Sequence, residues 1–302
     1  MRRFLGYLLR LLLLVIPLQQ SAAEQPALAS ERVSFTSAGV TLVGTLFRPK
    51  HPFAAVVIVH GSGQEKRMTE FATHLAKNGI AALTYDKRGV GESGGVYAGP
   101  EVGTNNIGAD NLNLLAADAS AAVNALSERL SGSREPIGLL GFSQAAWIIP
   151  LAGKMNRAVK FIVLFSGPVV TAREQLRFQF YTQGNPAFWE THNESDAREH
   201  LRNDPDRYPF ADTDPRDALA ELSIPGLWLF GGQDVQAPVQ LSIEHLDALH
   251  AQGRPYEHRV FPRLGHNVAF AKSGESEAAV AAAIQWIRAV AEKSSPRGRG
   301  LH

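Results

Sequence analysis

The stretch Gly141-Phe142-Ser143-Gln144-Ala145 does most to decide how this sequence folds. It follows an apolar run over residues 136–140 and precedes a helical pattern over residues 145–151. A serine with small residues two positions away on either side is typical of a sharp strand-to-helix turn, which lifts the hydroxyl above a sheet. Ala145 stands where a second glycine is expected. We therefore predict Ser143 as a candidate nucleophile, with an ordinary strand-to-helix turn as the alternative.

Strand and helix patterns alternate along the rest of the chain. A hairpin pattern comes first, followed by apolar runs that are typical of strands covered on both faces. Such an order predicts a mostly parallel central sheet with helices on both faces. The predicted hairpin strands are 32–35 and 40–47, the later strands are 54–59, 80–85, 136–140, 159–165, 226–230 and 257–261, and the helices are 68–78, 107–130, 145–151, 239–250 and 275–289.

One segment, from about residue 171 to 220, interrupts this alternation. It is polar, contains several aromatic residues and shows no clear strand. We interpret it as a helical cap insertion above the carboxyl edge of the sheet. Its aromatic side chains could line an acyl pocket or form a small core of the cap itself, and we favour the second interpretation for any single residue.

The first 23 residues have the pattern of a secretory signal peptide. Arg2 and Arg3 precede an apolar stretch over residues 11–18 and the small residues Ser21-Ala22-Ala23. A basic start, an apolar centre and a small-residue cleavage site define such a leader. We expect cleavage after Ala23, a domain over residues 24–302, a periplasmic or secreted location, and no stable membrane insertion after cleavage. An uncleaved anchor is the alternative.

Composition excludes several classes of function. The chain has 30 Lys+Arg and 29 Asp+Glu, and the leader holds three arginines and no acid. The remainder therefore carries a formal net charge of −2, which gives no electrostatic reason to expect nucleic acid as a partner. The sequence contains no cysteine, so disulfides and thiolate chemistry are excluded. Oligomeric state leaves no signal in the sequence.

Neither a metal nor another cofactor is expected. The remaining histidines show no metal-ligand spacing with cysteine or carboxylate support. The glycine-rich stretch over residues 89–95 lacks the Gly-Lys-Ser/Thr ending of a phosphate-binding loop.

Polar residues with catalytic chemistry follow several predicted strands. His60-Gly61-Ser62-Gly63 follows the strand 54–59, Asp234 follows the strand 226–230, and His266 follows the strand 257–261. In open parallel sheets, ligands bind at the carboxyl ends of the strands. A nucleophile, a carboxylate and an imidazole therefore come in the order Ser, Asp, His, which is the order of a known class of serine enzymes.

On these motifs the chain resembles the α/β-hydrolases. It is most similar to dienelactone-hydrolase-like and prolyl-oligopeptidase-like serine esterases and peptidases with an H-G-S-G turn. The resemblance covers about residues 32–289, nearly all of the chain after the leader. It is specific for the fold and much less so for the substrate.

The resemblance implies a role for five residues. Ser143 matches the nucleophile, Asp234 the acid and His266 the general base of a catalytic triad. The backbone N–H groups of Ser62 and Gln144 match the donors of an oxyanion hole, which stabilise the negative oxygen of the tetrahedral intermediate. We expect the glycines beside Ser62 to let the backbone turn its amides toward that oxygen.

Alternatives to these assignments remain open. Asp234 could be a solvated turn residue, and His266 could be a surface histidine in a loop. His60 is better interpreted as a structural hydrogen-bonding residue than as the base. We expect Asp86 and Arg88 to form an ion pair with each other that supports the site.

The function expected from the resemblance is that of an exported serine hydrolase, with a small-molecule carboxylic ester as substrate. A peptidase of the prolyl-oligopeptidase type that acts on small peptides is an alternative. A non-catalytic binding protein with the same fold is another, although such a protein would be expected to lose one of the three triad residues.

Overall fold

A single eight-stranded sheet organises the computed structural model, which describes residues 28–205 and 208–294. The predicted leader lies outside these residues. The strands are β1 Ala29–Ser37, β2 Val40–Arg48, β3 Ala54–Val59, β4 Ile80–Tyr85, β5 Ile137–Phe142, β6 Val159–Phe165, β7 Gly226–Gly231 and β8 Tyr256–Phe261. Their order in the sheet is β1-β2-β4-β3-β5-β6-β7-β8.

Helices cover both faces of this sheet. They are α1 Thr69–Lys77, α2 Thr104–Ile107, α3 Ala109–Arg129, α4 Ala145–Met155, α5 Ala172–Thr182, α6 Phe188–Thr191, α7 Glu194–Asn203, α8 Pro215–Glu221, α9 Val239–Ala251 and α10 Gly274–Ser294. One buried apolar layer joins the sheet to α3, α4 and α9, and the other joins it to α1 and α10.

The pairing confirms the predicted fold class. β1 and β2 form the expected antiparallel hairpin, and β2 runs antiparallel to β4. Every pairing from β4 onward across the sheet is parallel. The residues of β3, β4, β5 and β7 are buried throughout, as expected for strands covered on both faces. The carboxyl ends of the parallel strands therefore meet at one edge.

The predicted long helix over residues 107–130 is interrupted. Ile107 ends the short helix α2, and α3 begins at Ala109. Gly108 between them has an extended backbone, with φ −64° and ψ 147°. Glycine is a poor helix former because it loses the most backbone freedom on ordering. The chain therefore changes direction at Gly108, although the amphipathic pattern continues across that position.

Four helices, α5 to α8, lie between β6 and β7, in the stretch expected to hold a cap. Phe178, Ala197 and Leu201 form a separate buried cluster there, with Trp189 packed against it. This cluster favours the interpretation that the aromatic residues form a core of their own. The cap as a separate unit stays a prediction. No helix in the part of the chain that the structure describes is long and apolar enough to cross a membrane.

The predicted ion pair between Asp86 and Arg88 is wrong. Asp86 Oδ2 accepts from Arg67 Nη2 at 2.7 Å, just before α1. Arg88 Nε donates to Asp118 Oδ2 at 2.9 Å, on α3. Because α1 and α3 cover opposite faces of the sheet, the two side chains point away from each other. Both ion pairs are largely buried, so the structural role expected for these residues is retained with different partners.

Candidate active site

The turn between β5 and α4 holds Ser143 in a strained conformation. Its φ is +49°, in the left-handed region that residues other than glycine rarely adopt. The Ser143 N–H donates to the carbonyl of Phe165 at the end of β6, over 3.0 Å. Neighbouring strands thus fix a backbone conformation that costs energy, and such positions cluster at functional sites.

Close packing across this turn explains the unusual Ala145. A Cβ placed on Gly141 would lie 2.4 Å from the Cβ of Ala145 and 2.9 Å from the carbonyl oxygen of Val59. Position 141 therefore cannot carry a side chain without a shift of its neighbours, whichever residue stands at position 145. Since position 141 is a glycine, the alanine at position 145 fits and is fully buried.

Asp234 and His266 are brought together at the ends of β7 and β8. Asp234 Oδ2 accepts a hydrogen bond from His266 Nδ1 at 2.8 Å. The other carboxylate oxygen accepts from the backbone N–H groups of Gln236 at 2.7 Å and Ala237 at 2.9 Å. Asp234 is 1% exposed. The carboxylate is therefore fixed in position, and the imidazole is held with Nδ1 as the donor.

The electrostatics of His266 follow from this arrangement. Burial lowers the pKa of His266, but the charge of Asp234 and its hydrogen bond raise the pKa, which lies above the ordinary histidine value. Asp234 therefore stabilises the protonated imidazole. This is the form that a base takes after it has accepted a proton.

Ser143 and His266 line the same cavity, whose volume is about 340 Å³. Within residues 28–205 and 208–294, the structure has no hydrogen bond between the side chains of Ser143 and His266. Because Nδ1 of His266 faces Asp234, Nε2 lies on the opposite edge of the ring and is the nitrogen left to face a nucleophile. Catalytic hydrogen bonds of this kind are often long before substrate binds.

The turn at residues 60–63 lies against the same cavity, and side-chain donors bind its carbonyl groups. Lys87 Nζ donates to the carbonyl oxygens of Gly61 at 2.6 Å and Gly63 at 3.3 Å. The carbonyl oxygen of Ser62 accepts from Tyr97 Oη at 2.7 Å and Asn106 Nδ2 at 3.0 Å. Three successive carbonyl oxygens are thus fixed by side chains.

The two predicted oxyanion donors are left available. Within the described residues, neither the Ser62 N–H nor the Gln144 N–H donates to a protein acceptor. Buried amides are nearly always paired, so an unpaired amide after the nucleophile is a marked feature. Neither Gly61 nor Gly63 has a positive φ, and the role expected of these glycines in turning the amides stays a prediction. Side-chain donors, and not left-handed glycines, hold this turn.

Lys87 contacts both the turn at residues 60–63 and Gln144. It was not among the predicted site residues. In addition to its two carbonyl contacts, Nζ donates to Gln144 Oε1 at 2.9 Å. Its three acceptors match the three hydrogens of an ammonium group. Burial lowers the pKa of Lys87 to about 7, against the opposing charges of Glu65 and Glu101. A lysine two residues past a strand end carries no distinctive sequence signal, because its role depends on where Gln144 and the turn come to lie.

His60 is buried, as expected for a structural residue, but the hydrogen bonding expected of it is not seen at Nε2, which has no partner within the described residues. His60 is 2% exposed and packs edge-on against Tyr85, with ring centroids 5.0 Å apart. Burial and the charge of Lys87 lower its pKa to about 3. His60 is therefore neutral near pH 7.

No group of three or more His, Cys, Asp or Glu side chains that could hold a metal ion occurs in the described ranges. The candidate site consists of a serine, an imidazole, the carboxylate that orients the imidazole, and two backbone amides.

Comparison with known proteins agrees with the fold. The sequence matches the family model Hydrolase_4, "Serine aminopeptidase, S33", over residues 50–202. The "Polyketide transferase claH" of Penicillium crustosum is 32% identical over 152 residues, or 48% of this chain and 46% of that protein. "Esterase EstD" of Thermotoga maritima is 27% identical over 231 residues, or 67% of this chain and 53% of that protein. The chain spans about half the length of these curated relatives.

A solved structure extends the comparison to the fold. The dienelactone hydrolase from Anabaena variabilis superposes with a TM-score of 0.58 at 19% identity, covering 87% of this chain and 97% of that one. The family model covers half of the sequence, including the turn at residues 60–63 and the serine elbow. The chain therefore belongs to the serine aminopeptidase S33 family of α/β hydrolases.

Proposed function

We propose that this protein is a serine hydrolase that cleaves carboxylic esters of small molecules. The observation that carries the proposal is the hydrogen bond between Asp234 and His266, beside a cavity that Ser143 also lines. An imidazole oriented by a buried carboxylate next to a strained serine is the arrangement that activates a hydroxyl nucleophile.

The proposed reaction has two halves. Ser143 Oγ attacks the ester carbonyl carbon while His266 Nε2 takes the hydroxyl proton, and the carbonyl oxygen becomes an oxyanion. The intermediate then collapses, the bond to the alcohol oxygen breaks, and His266 gives its proton to that oxygen. A water molecule, deprotonated by His266, attacks the acyl-serine in the same way and releases the acid and the free Ser143 hydroxyl.

The oxyanion is assigned to the unpaired backbone amides of Ser62 and Gln144. Donors that are fixed before the reaction stabilise the developing charge without reorganising at that moment. In this proposal, Lys87 is a positioning residue, because its three hydrogen bonds fix the turn on both sides of Ser62 and the side chain of Gln144.

Replacing Lys87 by methionine tests this role. Methionine has a similar length and no donor, so the turn and Gln144 lose their common anchor. We expect kcat on p-nitrophenyl acetate to fall by about 100-fold, the loss typical of one oxyanion donor, while KM changes little. The matched control is Lys154→Met, on the exposed pair with Glu221. Unchanged kcat in a folded Lys87→Met protein would contradict the positioning role of Lys87.

Comparisons support ester cleavage, and they also favour a second candidate. One relative is named an esterase, whereas the family description names a serine aminopeptidase. The second candidate is therefore cleavage of an amide bond after an amino-terminal residue, by the same acyl-serine chemistry.

A direct comparison of substrates separates these functions. The protein is assayed with p-nitrophenyl acetate and with the p-nitroanilides of alanine and proline. We expect kcat/KM to be at least about 100-fold higher for the ester. The carbonyl carbon of an amide is less reactive than that of an ester, and its nitrogen must be protonated before it can leave. A higher value for an aminoacyl anilide favours the aminopeptidase. No turnover of any substrate favours a binding protein.

Export is part of the proposal. Its support is the basic start, apolar centre and small-residue end of residues 1–23. Amino-terminal sequencing of protein from the periplasm or medium of a bacterial host should begin at Glu24. Protein that stays in the cytoplasm with residue 1 intact contradicts this part alone.

A further inference from the structure

Two neighbouring residues at the end of β6 contact the loops that carry the nucleophile and the base of the candidate site. The carbonyl oxygen of Phe165 accepts from the backbone N–H of Ser143 at 3.0 Å. The next residue, Ser166, donates through Oγ to the backbone carbonyl oxygen of His266 at 2.5 Å. The loops that carry Ser143 and His266 are therefore held at the same point of the sheet.

Ser166 has an unusual backbone conformation, as Ser143 has. Its φ is +51°, in the left-handed region that glycine adopts without strain. A glycine would suit this backbone better, so the backbone alone does not explain a serine at this position. Strained residues persist where the surrounding structure holds them, and they cluster at functional sites. The hydroxyl group is what the serine supplies and a glycine would not.

The surroundings of Ser166 leave it little room to move. It is 2% exposed and lines the cavity of about 340 Å³ in the candidate site. Its backbone N–H donates to the carbonyl oxygen of Leu229 on β7 at 2.9 Å. A Cβ on Gly167 would lie 3.0 Å from the Cβ of Ala146 on α4, so the chain after Ser166 is also closely packed. The hydroxyl group is therefore a donor with a fixed position.

The backbone of His266 depends on this donor for its position. Asp234 binds the Nδ1 edge of the ring and makes no hydrogen bond to the backbone of His266 within the described residues. The His266 carbonyl oxygen accepts from Ser166 and from the N–H of Val268 at 2.9 Å. Val268 belongs to the same loop, so of these two donors Ser166 is the one that ties the loop to another strand. Because the side chains of Ser143 and His266 are not hydrogen-bonded here, their separation depends on where this loop is held.

We infer that Ser166 is a positioning residue for the general base: its hydroxyl group holds the His266 loop at the separation from Ser143 that proton transfer requires. The inference rests on the proposed ester hydrolysis. Ser166 does not take part in the transfer itself, because its hydroxyl hydrogen is donated to a carbonyl oxygen. Reacting groups must meet within narrow limits, and a displacement of about 1 Å can lower a rate by about 100-fold.

Replacing Ser166 by glycine and by alanine tests this role. Both variants lack the hydroxyl group, but glycine adopts the backbone conformation without strain and should fold. We expect kcat on p-nitrophenyl acetate to fall by about 100-fold in both variants. KM should stay within about twofold of the wild type, since the lost contact acts on the reacting groups and not on substrate binding. The rate constant for labelling by a fluorophosphonate should fall by a similar factor, because labelling needs the same base.

The matched control is Ser242→Ala. Ser242 is also a buried serine, and its Oγ donates to the backbone carbonyl oxygen of Pro238 at 2.9 Å. It lines neither the larger cavity nor a smaller one, about 20 Å³, that also borders Ser143. Thermal unfolding of Ser242→Ala should show the loss of a buried hydrogen bond, whereas kcat should equal that of the wild type.

The outcomes separate this inference from the proposed function. A folded Ser166→Gly protein with wild-type kcat overturns the positioning role and leaves ester hydrolysis intact. A fall in kcat that Ser242→Ala shares also overturns it, because the fall then follows from lost stability alone. No ester turnover by the wild type, together with no labelling of Ser143 by the fluorophosphonate, overturns the proposed hydrolysis, and the role of Ser166 falls with it.

Discussion

Replacing Ser143 by alanine should lower kcat on p-nitrophenyl acetate by about 10⁶-fold, the loss that follows removal of the nucleophile in other serine hydrolases. Without Oγ no acyl-enzyme can form, and only the oxyanion donors and the bound geometry remain to accelerate attack by water. The fold should be unaffected, because a smaller side chain on the same strained turn removes no hydrogen bond of the described structure. Stopped assays at high enzyme concentration can measure the residual rate.

The control for this variant is Ser127→Ala, a serine on α3 that lines neither cavity at Ser143. It should keep the wild-type kcat. If Ser143→Ala retains activity within tenfold of wild type while Ser127→Ala behaves normally, another residue is the nucleophile.

Replacing Asp234 by asparagine has the second-largest expected effect. The amide oxygen of asparagine can still accept from the backbone N–H groups that now bind Oδ1. Its NH₂ group then faces Nδ1 of His266, which favours the wrong tautomer of the imidazole. We expect kcat to fall by about 10⁴-fold, with the fold retained.

The pH dependence gives this variant a separate signature. Neutral His266 is the base, so kcat/KM should rise with pH through the pKa of His266. Asp234 raises that pKa, and its loss should move the acid limb of the residual activity to lower pH. The control is Asp247→Asn, which alters an exposed Asp–His pair with His258 at 3.6 Å. A large loss without any shift of the acid limb would contradict the role given to Asp234.

The sequence predicted those features that depend on local pattern. β3, β4 and β6 have the predicted bounds, because largely apolar runs mark strands covered on both faces. Ser143, Asp234 and His266 are predicted from their positions after strands, since parallel strands bring such residues to one edge. The structure places Asp234 in contact with His266, and His266 on the same cavity as Ser143. The elbow was found although Ala145 breaks its usual pattern, and Gly141 explains why.

Features that depend on tertiary partners were missed. Asp86 and Arg88 are close in sequence but reach opposite faces of the sheet, so their partners could not be read from spacing. Lys87 acquires its contacts only when the turn at residues 60–63 and Gln144 come together. The break at Gly108 was not predicted, because the helical pattern of apolar residues continues across it.

Reaction with a fluorophosphonate tests the central claim most directly, because only an activated serine attacks the reagent. We predict that the intact protein gains the mass of one phosphonyl group, that peptide mapping locates it on Ser143, and that Ser143→Ala and Asp234→Asn suppress it. A folded protein that gains no adduct, or that carries the adduct on another residue, contradicts the account.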